Sequence, residues 1–110
     1  MAERVAVPPE TAELRRLRRR IDALDRRIVE LLNERTELAR AVGRQKERDG
    51  RRAIRDLERE RQVLLRVTMA NPGPLPQADL LAMYRRLITA TRSIETRDRK
   101  RERLERDPGE

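Results

Sequence analysis

The residues best suited to chemistry are polar side chains set into apolar helical stripes. The first stripe runs through Leu14, Leu17, Ile21, Leu24, Ile28 and Leu31, then Leu38 and Val42. Its spacing alternates three and four, the seam of an amphipathic helix. Arg35 falls in that seam between Leu31 and Leu38. A buried guanidinium is costly unless paired. Arg35 therefore either fixes register against an internal acid or binds an anion. Arg18 and Lys46 share a flanking heptad position with Asp25, Leu32 and Ala39. Farther on, Asp56, Glu60, Val63 and Val67 follow a spacing that puts them on one helical face, with Arg59 beside it. These charges are either ordinary surface or part of a polar site; Arg55, Arg61 and Arg66 read as solvated. A third stripe, Leu81, Tyr84, Ile88 and Thr91, ends on Glu95. That carboxylate either marks the end of the core or points into a pocket with a raised pKa.

Three helices position these residues. The first stripe is unbroken by Pro or Gly before Gly43, so a helix is expected from Leu14 to about Arg48, with a turn at Asp49-Gly50. A second helix is expected from near Ala53 to about Met69. The loop Asn71-Pro72-Gly73-Pro74-Leu75-Pro76 ends it. A third runs from about Gln77 through the nineties, and the mixed-charge tail extends it for a few turns before fraying. No strand pattern or internal repeat is visible. The expected fold class is all-α, with one long and two shorter helices. The expected organisation is a disordered lead-in over 1–10, a helical domain over 11–97 and a charged tail over 98–110.

Composition narrows the chemistry. The chain has 110 residues, of which 36% are hydrophobic and 44% charged, and Tyr84 is its only aromatic residue. Histidine and cysteine are absent. His general bases, Ser-His-Asp triads, thiol nucleophiles, disulfides and Cys/His metal sites are thereby excluded. No metal or other cofactor is expected. The net charge of +8 attracts anions. Of the 28 basic residues only Lys46 and Lys100 are lysines, an arginine excess read mainly as codon bias. No run of 18 apolar residues and no apolar leader occurs, so the expectation is a cytoplasmic protein with no membrane partner.

Geometry adds a partner. A helix from Leu14 to Lys46 spans roughly 48 Å, against about 30 Å for a small domain. Two shorter helices cannot cover its stripe, which argues for a two-fold homodimer. Arg35 and Lys46 lie about 16 Å apart along the axis, close enough for long side chains to converge on one small ligand. Arg18 lies about 26 Å from Arg35 and reaches that ligand only from an antiparallel partner chain.

Taken together, these residues resemble the all-helical (AroQ-type) chorismate mutase family. The matching stretches are Leu17-Arg18-Arg19-Arg20-Ile21-Asp22-Ala23-Leu24-Asp25, Leu31-Leu32-Asn33-Glu34-Arg35, Val42-Gly43-Arg44-Gln45-Lys46 and Ile54-Arg55-Asp56-Leu57-Glu58-Arg59-Glu60-Arg61. Tyr84–Glu95 matches more loosely, and the likeness covers about residues 14–97. Each motif is weak alone; their order and spacing make the match specific. The resemblance implies an intertwined homodimer of three-helix chains with composite sites. It also implies conversion of chorismate to prephenate, a shikimate-derived step of aromatic amino acid biosynthesis. By the same likeness, Arg18 is the arginine contributed by the partner chain and Arg35 the main carboxylate clamp. Lys46 faces the ether oxygen and a carboxylate. Asp56, through its backbone, and Glu60 hold the ring hydroxyl, and Arg59 contacts a carboxylate. Thr91 stands where relatives often have serine, and Glu95 where many have glutamine. Two departures are an extra residue in the loop around Asp49–Arg52 and the proline-rich loop Asn71–Pro76.

The implied reaction is an intramolecular [3,3] rearrangement needing no covalent intermediate or proton transfer, consistent with a chain lacking His and Cys. On the same fold, a mutase of 4-amino-4-deoxychorismate or a lyase releasing pyruvate from isochorismate remains an alternative. A basic helical module binding nucleic acid would use Arg15-Arg16, Arg18-Arg19-Arg20 and the Arg97–Arg106 tail, but it lacks an aromatic stacking platform and a reading helix. A plain coiled-coil interaction protein leaves Arg35 unexplained. No dehydratase, dehydrogenase or regulatory domain is visible, so a stand-alone mutase is expected, with any activating partner enzyme unidentified.

Overall fold

The computed structural model describes residues 6–51 and 54–106. Three α-helices follow in order: α1, Ala12–Arg48; α2, Leu57–Ala70; and α3, Gln77–Arg106. No strand occurs among the described residues. The chain divides into two compact units, Met1–Arg35 and Thr36–Glu110, with α1 crossing the boundary as one continuous helix.

Each helix starts and stops where its sequence provides for it. Thr11 caps α1: its Oγ1 accepts the Leu14 N–H at 3.1 Å. At the other end Gly50 takes φ +76, a conformation that side chains rarely adopt. This lets Gly50 N–H donate to Glu47 O at 3.1 Å and Arg51 N–H to Lys46 O at 2.8 Å, the paired bonds of a Schellman stop. Glu13 in the first turn and Lys46 and Arg48 in the last complement the helix dipole.

The second helix begins later than its periodicity predicts. The expected start near Ala53 lies outside the described residues, and the helix opens at Leu57. Asp56 is its N-cap, with extended backbone (φ −118, ψ 94), and its Oδ1 accepts the Arg59 N–H at 3.0 Å. Asp56 is therefore the cap of α2 and not an interior residue: its side chain folds over the helix end to the third amide, while its carbonyl accepts the Glu60 N–H one turn on at 3.0 Å. Asn71 closes α2 and organises the loop. Its Nδ2 donates to Leu75 O and to Gln77 Oε1, while Gln77 Nε2 reaches back to Thr68 O at 2.8 Å. The Gly73–Pro74 peptide bond is cis.

The third helix carries four hydroxyl residues in its middle. Thr89, Thr91, Ser93 and Thr96 each donate to the carbonyl four residues back, so none competes with the helix. The helix continues without a break from the segment before Arg97 to Arg106, so the charged tail begins as helix.

Within Thr36–Glu110, α2 and α3 lie against each other, with Val63, Leu64, Val67, Leu81, Tyr84, Leu87 and Ile88 partly buried. Within Met1–Arg35, Leu14, Leu17, Ile21, Leu24, Ile28 and Leu31 remain 40–61% exposed. Among the described residues no apolar side chain is fully buried within the single chain. No helix of the described residues is long and apolar enough to cross a membrane.

Candidate active site

The Thr36–Glu110 unit brings together a cluster built on the end of α1, the start of α2 and the middle of α3. Glu95 stands at its centre. Thr91, one turn earlier on α3, is buried at 6% exposure, the most buried polar residue among those described; its Oγ1 donates to Leu87 O at 2.9 Å. Glu95 lies against α1 at Gly43, which is buried. A Cβ placed on Gly43 would lie 3.3 Å from Glu95 Cγ and 3.5 Å from its Cδ and Oε2. Only a residue without a side chain admits the carboxyl this close to the helix backbone.

Burial is the largest influence on Glu95 and raises its pKa above the ordinary glutamate value. Lys46 and Arg99 pull it back, and Asp98 adds to the rise. Glu95 Oε2 is buried and makes no hydrogen bond within the described chain. When protonated, such a carboxyl can donate a hydrogen bond to an anion's oxygen.

Lys46 is partly buried, and its Nζ donates to Ile54 O at 3.2 Å. This strap holds the inter-helix segment against α1 and fixes the ammonium near Glu95. Arg59 is exposed, at a position set by the Asp56 cap. Glu60, in the first turn of α2, has an 18%-exposed side chain and lies 3.5 Å from Arg92 Nε and 3.6 Å from Arg55 Nη2. Arg55 is thus an ion-pair partner, although its side chain stays mostly in solvent.

The sequence reading misses two features. Arg92 pairs with Glu60 from α3, and its periodic position gave no signal among so many arginines. Arg40 and Asp98 form a two-pronged ion pair, Nε to Oδ2 at 2.8 Å and Nη2 to Oδ1 at 3.2 Å. Each stands one turn from the Gly43–Glu95 contact, Arg40 on α1 and Asp98 on α3. The hydrogen bonds from Arg40 hold Asp98 below the ordinary aspartate range. Only i,i+3 and i,i+4 pairs within one helix are legible from sequence, and this pair joins two helices.

Arg18 and Arg35 belong to the other unit. Arg18 Nε lies 3.5 Å from Glu10 Oε1, and its side chain is largely exposed. Arg35 is partly buried on α1. Among the described residues no group of acidic side chains is arranged to hold a metal ion.

Residues 17–96 match the family of chorismate mutase type II. The chain belongs to that family. All eight residues nominated from sequence, from Arg18 to Glu95, lie within the matched region. Its relatives include a bifunctional chorismate mutase/prephenate dehydratase of Aquifex aeolicus, 38% identical over 87 residues, which cover 76% of this chain and 24% of the relative. A protein of the same description from Neisseria gonorrhoeae is 37% identical over 78 residues, covering 71% of this chain and 21% of that one. The chain thus spans about a quarter of the length of the curated relatives it matches. A solved structure of chorismate mutase (form II) from Thermus thermophilus superposes with a TM-score of 0.72 at 30% identity, covering 77% of this chain and 96% of that one. The all-helical, three-helix fold is thus the family's. The last part of α3, from Arg97 to Arg106, lies beyond the matched residues and includes Asp98 and Arg99.

Proposed function

We propose that the chain catalyses the rearrangement of chorismate to prephenate, as a homodimer with composite sites. The observation that carries this reading is the half-buried Glu95 carboxyl, seated on Gly43 beside Lys46 within the family-matched region. In the reaction a C–O bond breaks as a C–C bond forms, within one molecule and with no proton gained or lost. Catalysis then consists of holding a flexible dianion in its compact conformer and stabilising charge that grows on the ether oxygen.

Each nominated residue has a task in that scheme. Arg35 and Arg59 clamp carboxylates, for which the guanidinium fork is well shaped. Arg18 enters from the partner chain. Lys46 addresses the ether oxygen from one side, and Glu95, in its protonated form, donates to it from the other. Glu60 takes the ring hydroxyl. Asp56 acts on it indirectly, by fixing the helix start that presents Arg59 and Glu60. Thr91 packs beneath the substrate ring. The open apolar face of α1 supports the dimer: burying each such Leu or Ile contributes about 1.5–3 kcal/mol.

The test is chorismate consumption by the purified chain, with products separated. Prephenate formation that is lost in Arg35→Ala is expected. Pyruvate release from isochorismate without prephenate would keep the fold and change the reaction. No turnover of chorismate by a folded dimer would refute the reading.

A further inference from the structure

Glu95 sits among charges of both signs. On α1 it faces Lys46, and the small cavity beside it is lined by Arg40, Arg44 and Glu47 from α1 and by Asp98, Arg99 and Glu102 from α3. That cavity measures about 10 Å³, room for one water and not for a substrate. What its lining contributes to the reaction therefore passes through Glu95. Among the acids, Glu47 is engaged by Arg106 at 3.3 Å, and Glu102 stands two turns beyond Glu95. Asp98 follows Glu95 by three residues, a spacing that puts the two side chains on one side of α3, about 5–6 Å apart. Arg40 fixes Asp98 there with two bonds, Nε to Oδ2 at 2.8 Å and Nη2 to Oδ1 at 3.2 Å. Glu37 Oε1 accepts from Arg40 Nη1 at 3.0 Å and braces the guanidinium in turn. A two-pronged bond fixes orientation as well as distance. Arg40 precedes Gly43 by three residues on α1, so the pair stands beside the Gly43–Glu95 contact.

We infer that Asp98, braced by Arg40, is a positioning residue for the reaction, acting through Glu95 by keeping that carboxyl a hydrogen-bond donor against the cations around it. This rests on the reading that Glu95, in its protonated form, donates to the ether oxygen of chorismate. An ionised Glu95 has no proton to donate and repels an oxygen on which negative charge grows. Lys46 and Arg99 favour the ionised form, and Asp98 opposes them. Without the Asp98 charge, Arg40 is left with Glu37, whose side chain is mostly in solvent. The positive field at Glu95 then grows, and its proton leaves at a lower pH. The family match ends at residue 96, so it does not assign Asp98 this part.

The experiment follows kcat/KM for chorismate against pH, which reports ionisations of the free enzyme. It uses the full chain as wild type, Asp98→Asn, Asp98→Ala and Asp98→Glu, at low ionic strength and well below the melting temperature. Asp98→Ala is a second neutral variant with the higher helix propensity. Wild-type kcat/KM is expected to fall as pH rises through the ionisation of Glu95. In both neutral variants that fall should move to lower pH by about 0.5 unit or more, the effect of one charge at about 6 Å even in bulk water. Asp98→Glu keeps the charge and should hold the fall near its wild-type position. In a Glu95→Gln background, Asp98→Asn should change kcat/KM equally at every pH. A loss spread evenly over pH in the neutral variants of the otherwise wild-type chain is what a merely structural role gives, and it overturns the inference. A pH shift that persists in the Glu95→Gln background also overturns it, since another group would then be responsible. A wild type without the fall overturns it even if neither neutral variant folds. No turnover of chorismate by the wild type refutes the chorismate reading itself, a failure distinct from an unshifted profile.

Discussion

Replacing Gly43 by alanine is expected to slow chorismate turnover several-fold while leaving the fold about as stable as before. The new Cβ would sit 3.3 Å from Glu95 Cγ and 3.5 Å from Cδ and Oε2. Carbon atoms prefer about 3.5–4.0 Å, so the Glu95 side chain must retreat by roughly 0.3–0.5 Å. It is flexible and does not force the backbone apart; leaving its rotamer costs about 0.5–1.5 kcal/mol. Alanine in a helix interior gains about 1 kcal/mol over glycine. The two effects nearly cancel in stability. They do not cancel in catalysis, where a misplacement of about 1 Å can cost about 100-fold. Scaled to the retreat worked above, kcat should fall by about 3- to 10-fold. The assay is steady-state turnover of chorismate together with a thermal melt. In a Glu95→Ala background the obstacle is gone, and Gly43→Ala should show its full helical gain. The reasoning is refuted if Gly43→Ala alone melts several degrees higher and turns over chorismate within about twofold of wild type, since a gain of about 1 kcal/mol moves Tm by about 4–8 °C in a domain of this size.

Three further outcomes are expected. Burial holds the Glu95 pKa above the ordinary glutamate value; the associated stability is full below that value and is lost as pH rises through the raised one. Wild-type turnover should fall over the same rise, whereas Glu95→Gln should lose that limb of both profiles; identical profiles would remove Glu95 as hydrogen-bond donor. Asp98 is held low by the Arg40 hydrogen bonds, so its contribution is full above the ordinary aspartate value and disappears as pH falls through the lowered one. Asp98→Asn should melt below wild type at neutral pH, with the gap closing in acid; a gap that persists in acid would show that the ion pair is not its source. Ile28→Asp, on the open face of α1, should prevent the proposed dimer from forming in sedimentation and abolish turnover, and an active monomer would remove the composite site.

Much of this protein is written locally. The seam from Leu14 to Val42 announces α1, and Thr11 and Gly50 bound it by side-chain capping and by a backbone that only glycine adopts readily. The α3 line from Leu81 to Glu95 is equally legible, because a period of 3.6 residues needs no tertiary information. Lys46 and Glu95 stood out as polar residues beside or at the end of an apolar line. Asp56 was misplaced because its spacing to Glu60 is the same whether it sits inside the helix or caps it. Only folded geometry distinguishes these cases, through the bond from Arg59 N–H. The pairings Glu60–Arg92 and Arg40–Asp98 join residues 32 and 58 apart on different helices. Among 28 basic residues, composition cannot say which guanidinium meets which carboxylate. The sequence by itself determined the helices and most of the polar residues they carry, since periodicity and capping act within a few residues. The tertiary structure decided which charges meet, how closely Glu95 approaches Gly43 and which way its proton equilibrium moves, because each depends on distance and burial between helices.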